Sequence, residues 1–153
     1  MHTVDTMKEI VNLRVHIAPV GFELDRIIIP AVKMKADKVW LVAHDNVGED
    51  KASKYRQKIE KLLEKKGIKT EIAYANRLRL FPIIKAVTEI IFKERKNDIY
   101  VNVATGSKIH AIGCMMACML FDDREKIHPF YAQAEQYPEY EGSLQQTYGV
   151  AEI

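Results

Sequence analysis

The sequence predicts an α/β fold: a Rossmann-like, doubly wound, mostly parallel sheet with helices on both faces, in a single domain. Three observations predict it. Short runs of β-branched and apolar residues alternate along the chain with longer segments of helical periodicity. Alternating strands and helices of these lengths imply a sheet covered on both faces. The 153 residues contain no linker, no low-complexity segment and no second domain, which suits one core. Right-handed crossovers leave few topologies, and the expected strand order is 3-2-1-4-5.

The elements follow in order. "LRVHIAPV" (Leu13–Val20) reads as the first strand and ends at Gly21. "DRIIIPAVKMKA" (Asp25–Ala36) is a helix that either starts late or kinks, because Pro30 lies inside it. "KVWLVAH" (Lys38–His44) is the second strand. In "EDKASKYRQKIEKLLEKKG", Tyr55, Ile59, Leu62 and Leu63 share one helical face and Gly67 stops the helix. "IKTEIAYA" (Ile68–Ala75) is the third strand. "FPIIKAVTEIIFKERK" (Phe81–Lys96) is the third helix, with Pro82 in its first turn. "DIYVNVA" (Asp98–Ala104) is the fourth strand and "SKIHAIGCMMACMLF" the fourth helix. "KIHPFYAQA" (Lys126–Ala134) is a fifth strand weakened by Pro129, which cannot donate to a ladder. A polar loop with Pro138 and Gly142 leads to a last strand, "QTYGVAEI".

Composition excludes several function classes. The net charge of +2, from 23 basic and 21 acidic residues, is too balanced for general nucleic-acid binding through a basic surface. A local anion site is compatible with it. No apolar run reaches the roughly eighteen residues of a membrane span, and Met1–Ile10 is too polar for a signal peptide. A cytoplasmic protein without membrane association is the expectation. Cys114 and Cys118 fall in one apolar helix, which places their side chains poorly for a disulfide and favours buried, reduced thiols.

In the order 3-2-1-4-5 the switch point lies between strands one and four, and ligands of such sheets bind at the carboxyl ends flanking it. Two loops meet there: Val20-Gly21-Phe22-Glu23 and Thr105-Gly106-Ser107-Lys108. A helix starting at Ser107 or Lys108 aims free N–H groups and a partial positive charge at the second loop. Gly106 permits a sharp turn or close approach. Thr105 and Ser107 offer hydroxyls, and Lys108 a full charge. Together they describe a phosphate or anion seat. The plainer alternative is that Thr105 or Ser107 only caps the helix and Lys108 is solvated. The segment is no Walker A loop, and "APVGFE" lacks the G-x-G-x-x-G pattern, so no dinucleotide cofactor is expected.

A first strand ending in "PVGFELDRIIIPAV" and a fourth ending in "NVATGSKIHAIG" resemble the CARF domain, the CRISPR-associated Rossmann fold. The likeness is closest to archaeal CARF-like regulators that carry a winged-helix DNA-binding domain. It covers roughly Leu13 to Ala134, and its specific part is Asn102, Thr105, Gly106, Ser107 and Lys108. Family members often have a second Gly where Ser107 stands. The resemblance implies a homodimeric sensor of cyclic oligoadenylate, with the ring lying across the two-fold axis. Gly21 and Phe22 would then belong to the first ligand loop and Asn102 to Lys108 to the second. DNA would be contacted only through a separate domain that this chain does not contain. If the protein also cleaved the ring, Lys108 and Ser107 would be the candidates, with no metal. A protein binding a mononucleotide or sugar phosphate is a further alternative.

Other polar residues have two readings each. Asp45 and Asn46 follow the second strand and either reach a base or ribose or form an Asx turn. Arg77 and Arg79 either add positive potential or are solvated. His16 is expected to pack within the sheet. His110, Cys114 and Cys118, at i, i+4 spacing, spread over about 12 Å of helix, too far for one metal ion. Glu23 is unwelcome near an anion unless it pairs with Arg26, and Asp25 is expected to cap its helix. The fourth helix is apolar almost all round, which implies full burial, either wholly within one subunit or by a partner subunit as well as the sheet; the CARF resemblance favours the dimer.

Overall fold

The computed structural model describes residues 12–46, 53–136 and 148–152. Its elements are β1 (Arg14–Pro19), α1 (Asp25–Lys33), β2 (Lys38–Ala43), α2 (Ser53–Lys65), β3 (Lys69–Tyr74), α3 (Leu80–Lys93), β4 (Asp98–Asn102), α4 (Lys108–Phe121), β5 (Ile127–Phe130), β6 (Gln133–Gln136) and β7 (Tyr148–Glu152). The first five strands form one sheet in the order β3-β2-β1-β4-β5. Every pairing in it is parallel. Val15 to Ile17 lie beside Ile99 to Val101, so strands one and four are neighbours as expected. No helix among the described residues is long and apolar enough to cross a membrane.

The period of two along the strands sorts the core into two layers. Val15, Ile17, Ile99 and Val101 pack on one face with Ile83, Val87, Ile90 and Ile91 of α3 and Cys114 and Ala117 of α4. Ala18, Val39 and Leu41 pack on the other with Ile27 and Ala31 of α1 and Ile59 and Leu63 of α2. Both cysteines are free thiols in this core. Burial pushes the Cys114 thiol up to about 12, with the neighbouring Cys118 adding to the effect. Burial likewise pushes Cys118 up to about 11, so neither is a thiolate near neutral pH. His16 is buried between the rings of Tyr100 and Phe130, and burial pulls it down to about 4. It is a neutral part of the sheet face.

Several expectations need correction. Of the two readings of Pro30, the late start does not hold: the helix begins at Asp25 and contains the proline. Asp25 does not cap it. Leu24 occupies the cap position and makes no side-chain cap bond, so Asp25 falls in the first turn, where its charge faces the positive end of the helix. The segment from Lys126 to Ala134 is not one strand. β5 ends at Phe130, and β6 forms a separate antiparallel hairpin with β7. Pro129 is tolerated because β5 is the edge strand and pairs only with β4. The loop with Pro138 and Gly142, residues 49–52 and Met1–Ile10 lie outside the described residues.

α4 is also not fully buried within the chain. Gly113, Cys114, Ala117 and Cys118 face inward. A Cβ on Gly113 would sit 2.8 Å from Ile83 Cγ2, so this glycine allows close packing on α3. The large residues of the opposite side, Ile112, Met115, Met116, Met119 and Leu120, are exposed.

A buried carboxylate ties α3 to the sheet at the edge opposite the two loops. Glu94, just past α3, accepts hydrogen bonds at 2.7 Å from both Trp40 Nε1 and Lys38 Nζ of β2, and from Asn97 Nδ2 at 3.0 Å. Burial alone would raise its pKa. The bonds from Lys38 and Trp40, the Lys38 charge and the Asn97 bond outweigh this and hold it below the ordinary value. A depressed carboxyl contributes stability that is complete above its unfolded value and is lost as pH falls through its folded value. Glu94→Gln should therefore cost about 1–3 kcal/mol at pH 7. The gap from wild type should narrow as pH falls below the ordinary glutamate value of about 4.3 and close only once pH is below the lowered folded value. Urea denaturation at pH 7 and pH 3 measures this; a gap unchanged by pH would contradict the role of the charge.

Candidate functional site

The chain must leave β1 and β4 at the same sheet edge, and the two exits touch. Val20 N–H donates to Val42 O (2.9 Å) and Val103 N–H to Phe130 O (2.9 Å), so both loops begin as continuations of the ladder. A Cβ on Gly21 would lie 3.2 Å from both Cα and N of Gly106. The loops therefore meet backbone to backbone. Gly106 has φ +77°, and a Cβ there would lie 2.6 Å from His110 Nδ1 and 2.9 Å from Pro19 Cβ. Both its conformation and its surroundings call for glycine.

Ser107 is the N-cap of α4. Its Oγ accepts from His110 N–H at 3.3 Å, and its own N–H donates to His110 Nδ1 at 3.0 Å. This is a capping box in which histidine takes the usual place of Glu or Gln. A backbone N–H can only donate, so Nδ1 is the acceptor and the imidazole carries its proton on Nε2. Ala111 N–H donates to Ser107 O. The cap thus serves His110 and Ala111 and leaves the N–H groups of Lys108 and Ile109 at the helix end. The Lys108 side chain is exposed. Thr105 is buried, and its Oγ1 has no hydrogen-bond partner, an uncommon state for a buried hydroxyl.

Asn102, at the end of β4, has both halves of its amide engaged. Its Nδ2 donates to Arg26 O at 2.8 Å, and its Oδ1 accepts from Ala104 N–H at 2.9 Å. The first bond has a specific cause. In α1 the Arg26 carbonyl would be served by the N–H of residue 30, and Pro30 has none. Asn102 supplies the missing donor from a neighbouring strand. The second bond turns the chain into the Thr105–Lys108 loop.

The remaining predicted residues are placed around this centre. Phe22 is half-buried and packs edge-on against Tyr55 of α2, 5.4 Å between centroids. Asp45 and Asn46 are exposed at the end of β2, at the same sheet edge. Arg77 and Arg79 are exposed after β3, farther from the switch point. Glu23 pairs with Arg26 at 2.8 Å; burial raises the Glu23 carboxyl and the Arg26 charge and bond pull it back.

Sequence reasoning passed over Arg26 as more than a partner for Glu23. Its side chain is buried, and Nε donates to Ala132 O at 2.8 Å. It joins the first loop to the chain leaving β5. The orphaned carbonyl implied by Pro30 was the signal for the Asn102 bond, but nothing in a sequence says which strand supplies the donor.

The five-stranded parallel fold is shared with the two solved structures given below. The model of the family described as HFX_2341_N:-like, N-terminal, matches residues 14–137, and the chain belongs to that family. Uncharacterized protein MJ1513 of Methanocaldococcus jannaschii is 35% identical over 127 residues, covering 79% of this chain and 38% of the relative. The chain thus spans well under half the length of this relative. Can2 from Sulfobacillus thermosulfidooxidans, in complex with cyclic tetra-adenylate, has a TM-score of 0.64 at 15% identity, covering 78% of this chain and 32% of Can2. Csm6 of Enterococcus italicus, bound to cyclic hexa-2'-fluoro-hexa-dAMP, has a TM-score of 0.61 at 12% identity, covering 85% and 36%.

The Asn102–Pro30 relation gives a double-mutant cycle. Asn102→Ala should destabilise the protein by about 1–3 kcal/mol. In a Pro30→Ala background, where the helix serves its own Arg26 carbonyl, it should cost about 1 kcal/mol less. Loss of the Ala104 bond is common to both backgrounds and cancels. Equal costs in the two backgrounds, measured by urea denaturation, would contradict the substitution of one donor for the other.

Proposed function

We propose that this chain is a ligand-sensing domain, 1–153, that binds a cyclic oligoadenylate as a homodimer. The observation that carries the reading is the backbone contact of Gly21 with Gly106 beneath a capped helix end. Gly106, Ser107 and Lys108 are exposed there, and the N–H groups of Lys108 and Ile109 with the Lys108 charge at the helix end make a seat suited to phosphate. The two solved structures of like fold, each holding a cyclic oligonucleotide, support the choice of ligand.

Gly21, Gly106, Ser107 and Lys108 form the seat, with Thr105 Oγ1 as a further donor if the loop opens. Asn102 acts in it as a positioning residue, and Phe22 as the packed base of the first loop. Asp45 and Asn46 stand at the rim, within reach of a ribose or base. No cofactor or metal is required for binding. An output through DNA, as in the winged-helix regulators this sequence resembles, would come from a separate domain.

The exposed side of α4 supports the dimer. Met119 and Leu120 are 72% and 70% exposed and adjoin Ile112, Met115 and Met116. A contiguous apolar face of this kind marks an interaction site, and methionines adapt to a partner surface. A two-fold axis passing near α4 would bring two seats together over one ring of phosphates.

Two measurements test this. Light scattering at micromolar concentration should give twice the chain mass, and Leu120→Glu should give a monomer; a wild-type monomer would contradict the dimer. Calorimetric titration with cyclic tetra- and hexa-adenylate should show one ring per dimer. Lys108→Ala removes two charge-assisted contacts, each about 1.5–3 kcal/mol, and should weaken binding by roughly two to four powers of ten. Lys108→Arg should not fully restore it, because the bulkier fork must fit beside Gly106. Linear products that vanish in Lys108→Ala would reassign the protein as a ring nuclease. Failure of wild type to bind either ring would reject the reading.

A further inference from the structure

Beside the seat, at the end of β5, stands a tyrosine that the phosphate-binding argument does not use. Asn102 pairs with Phe130 in the β4–β5 register, so Tyr131 lies next to the start of the Val103–Lys108 loop, at the same sheet edge. Tyr131 is 51% exposed. On one side the guanidinium of Arg26 sits over it, 5.2 Å from the centroid. That guanidinium is not a mobile surface group. Arg26 is 4% exposed, with Nε fixed by Ala132 O and Nη1 by Glu23, and its own backbone carbonyl is held by Asn102. The same bonds that shape the phosphate loop therefore hold the support of the Tyr131 ring.

We propose that Tyr131 is the nucleobase platform of this site: a purine stacks on its open face while the phosphate occupies the seat at Lys108. This rests on the nucleotide-binding reading above and adds the group that recognises the base. The chemistry fits. Bases stack on aromatic side chains in proteins that bind nucleotides in single-stranded form. A cation over the far face of the ring is attracted by its π-system and holds the ring in place, so less side-chain freedom is lost on binding. Tyr74 at the end of β3 and Phe81 in the first turn of α3 are also exposed, but among the described residues no cation lies over either ring, and the half-buried Phe22 is committed to Tyr55. A platform that offers only a π-face selects for a base but not strongly among bases. Discrimination of adenine would then rest on polar groups at the rim.

The test uses the full chain and cyclic tetra- and hexa-adenylate. Tyr131→Leu keeps bulk and removes the ring; Tyr131→Trp keeps a larger ring and adds a fluorophore. Stacking contributes roughly tenfold in affinity per base, so two Tyr131 rings on one ligand contribute roughly a hundredfold. Tyr131→Leu should weaken calorimetric binding by about that factor, with its melting temperature unchanged. Tyr131→Trp should bind within a few-fold of wild type, and its added fluorescence should be quenched by the ring. Wild-type binding with Tyr131→Leu unimpaired would overturn the platform and leave the phosphate seat standing. Loss of binding in both variants would also overturn it, since an aromatic replacement should serve. Failure of the wild type to bind any ring would overturn the platform together with the reading on which it rests.

Discussion

The amide of Asn102 is the constraint on which the rest of the site depends. It sits at the last position of β4, and each half of it does something no neighbour can do. Nδ2 supplies Arg26 O with the donor that Pro30 withholds. Oδ1 holds Ala104 N–H and bends the chain out of the sheet. The first bond locks α1 to β4 across the switch point, although α1 belongs to the crossover leaving β1. The second sets the loop that must pass over Gly21. Without a fixed relation between α1 and β4, nothing would hold Gly21 and Gly106 so close that a side chain on Gly21 would crowd the Gly106 backbone.

Gly106 and His110 complete the geometry. A left-handed glycine lets the loop reverse, and the space a side chain would take is filled by the imidazole. That imidazole accepts the Ser107 N–H and so closes the cap. The histidine is thus both the packing partner of the glycine and the polar partner of the serine. Its Nδ1 is thereby engaged in the first turn of the helix. What remains for a ligand is what the cap cannot use: two helix-end N–H groups and the Lys108 ammonium.

Much of this was legible in the sequence, and for identifiable reasons. The alternation of elements and the handedness of crossovers left few sheet orders, and the doubly wound one among them is the order found. The convergence of the Gly21 and Gly106 loops followed from that order alone. The cap at Ser107 and the pairing of Glu23 with Arg26 were foreseen as possibilities because each is local in sequence. The β6–β7 hairpin was not, because a short strand after an edge strand carries no signal of which partner it chooses. The Asn102–Arg26 bond spans 76 residues, and the Arg26–Ala132 bond spans 106. Side-chain bonds of such span depend on tertiary placement that periodicity does not encode. The two-sidedness of α4 was hidden too: its small and large apolar residues look alike to a hydropathy pattern, and only the structure separates the Gly113 side from the Met119 side.

On the proposed reading, the two glycine loops form a single ligand seat. Glycine amides report on it directly, because Gly21 and Gly106 lie at the seat while Gly67 and Gly113 lie at the end of α2 and on the α3–α4 contact. Amide chemical shifts of an isotope-labelled chain, followed on addition of cyclic tetra-adenylate and, separately, cyclic hexa-adenylate, make the measurement. The account predicts that Gly21, Gly106, Lys108 and Ile109 shift together and saturate at one ring per two chains, while Gly67 and Gly113 stay in place. Shifts confined to the C-terminal half of α4, or shifts at Gly106 without Gly21, would contradict it.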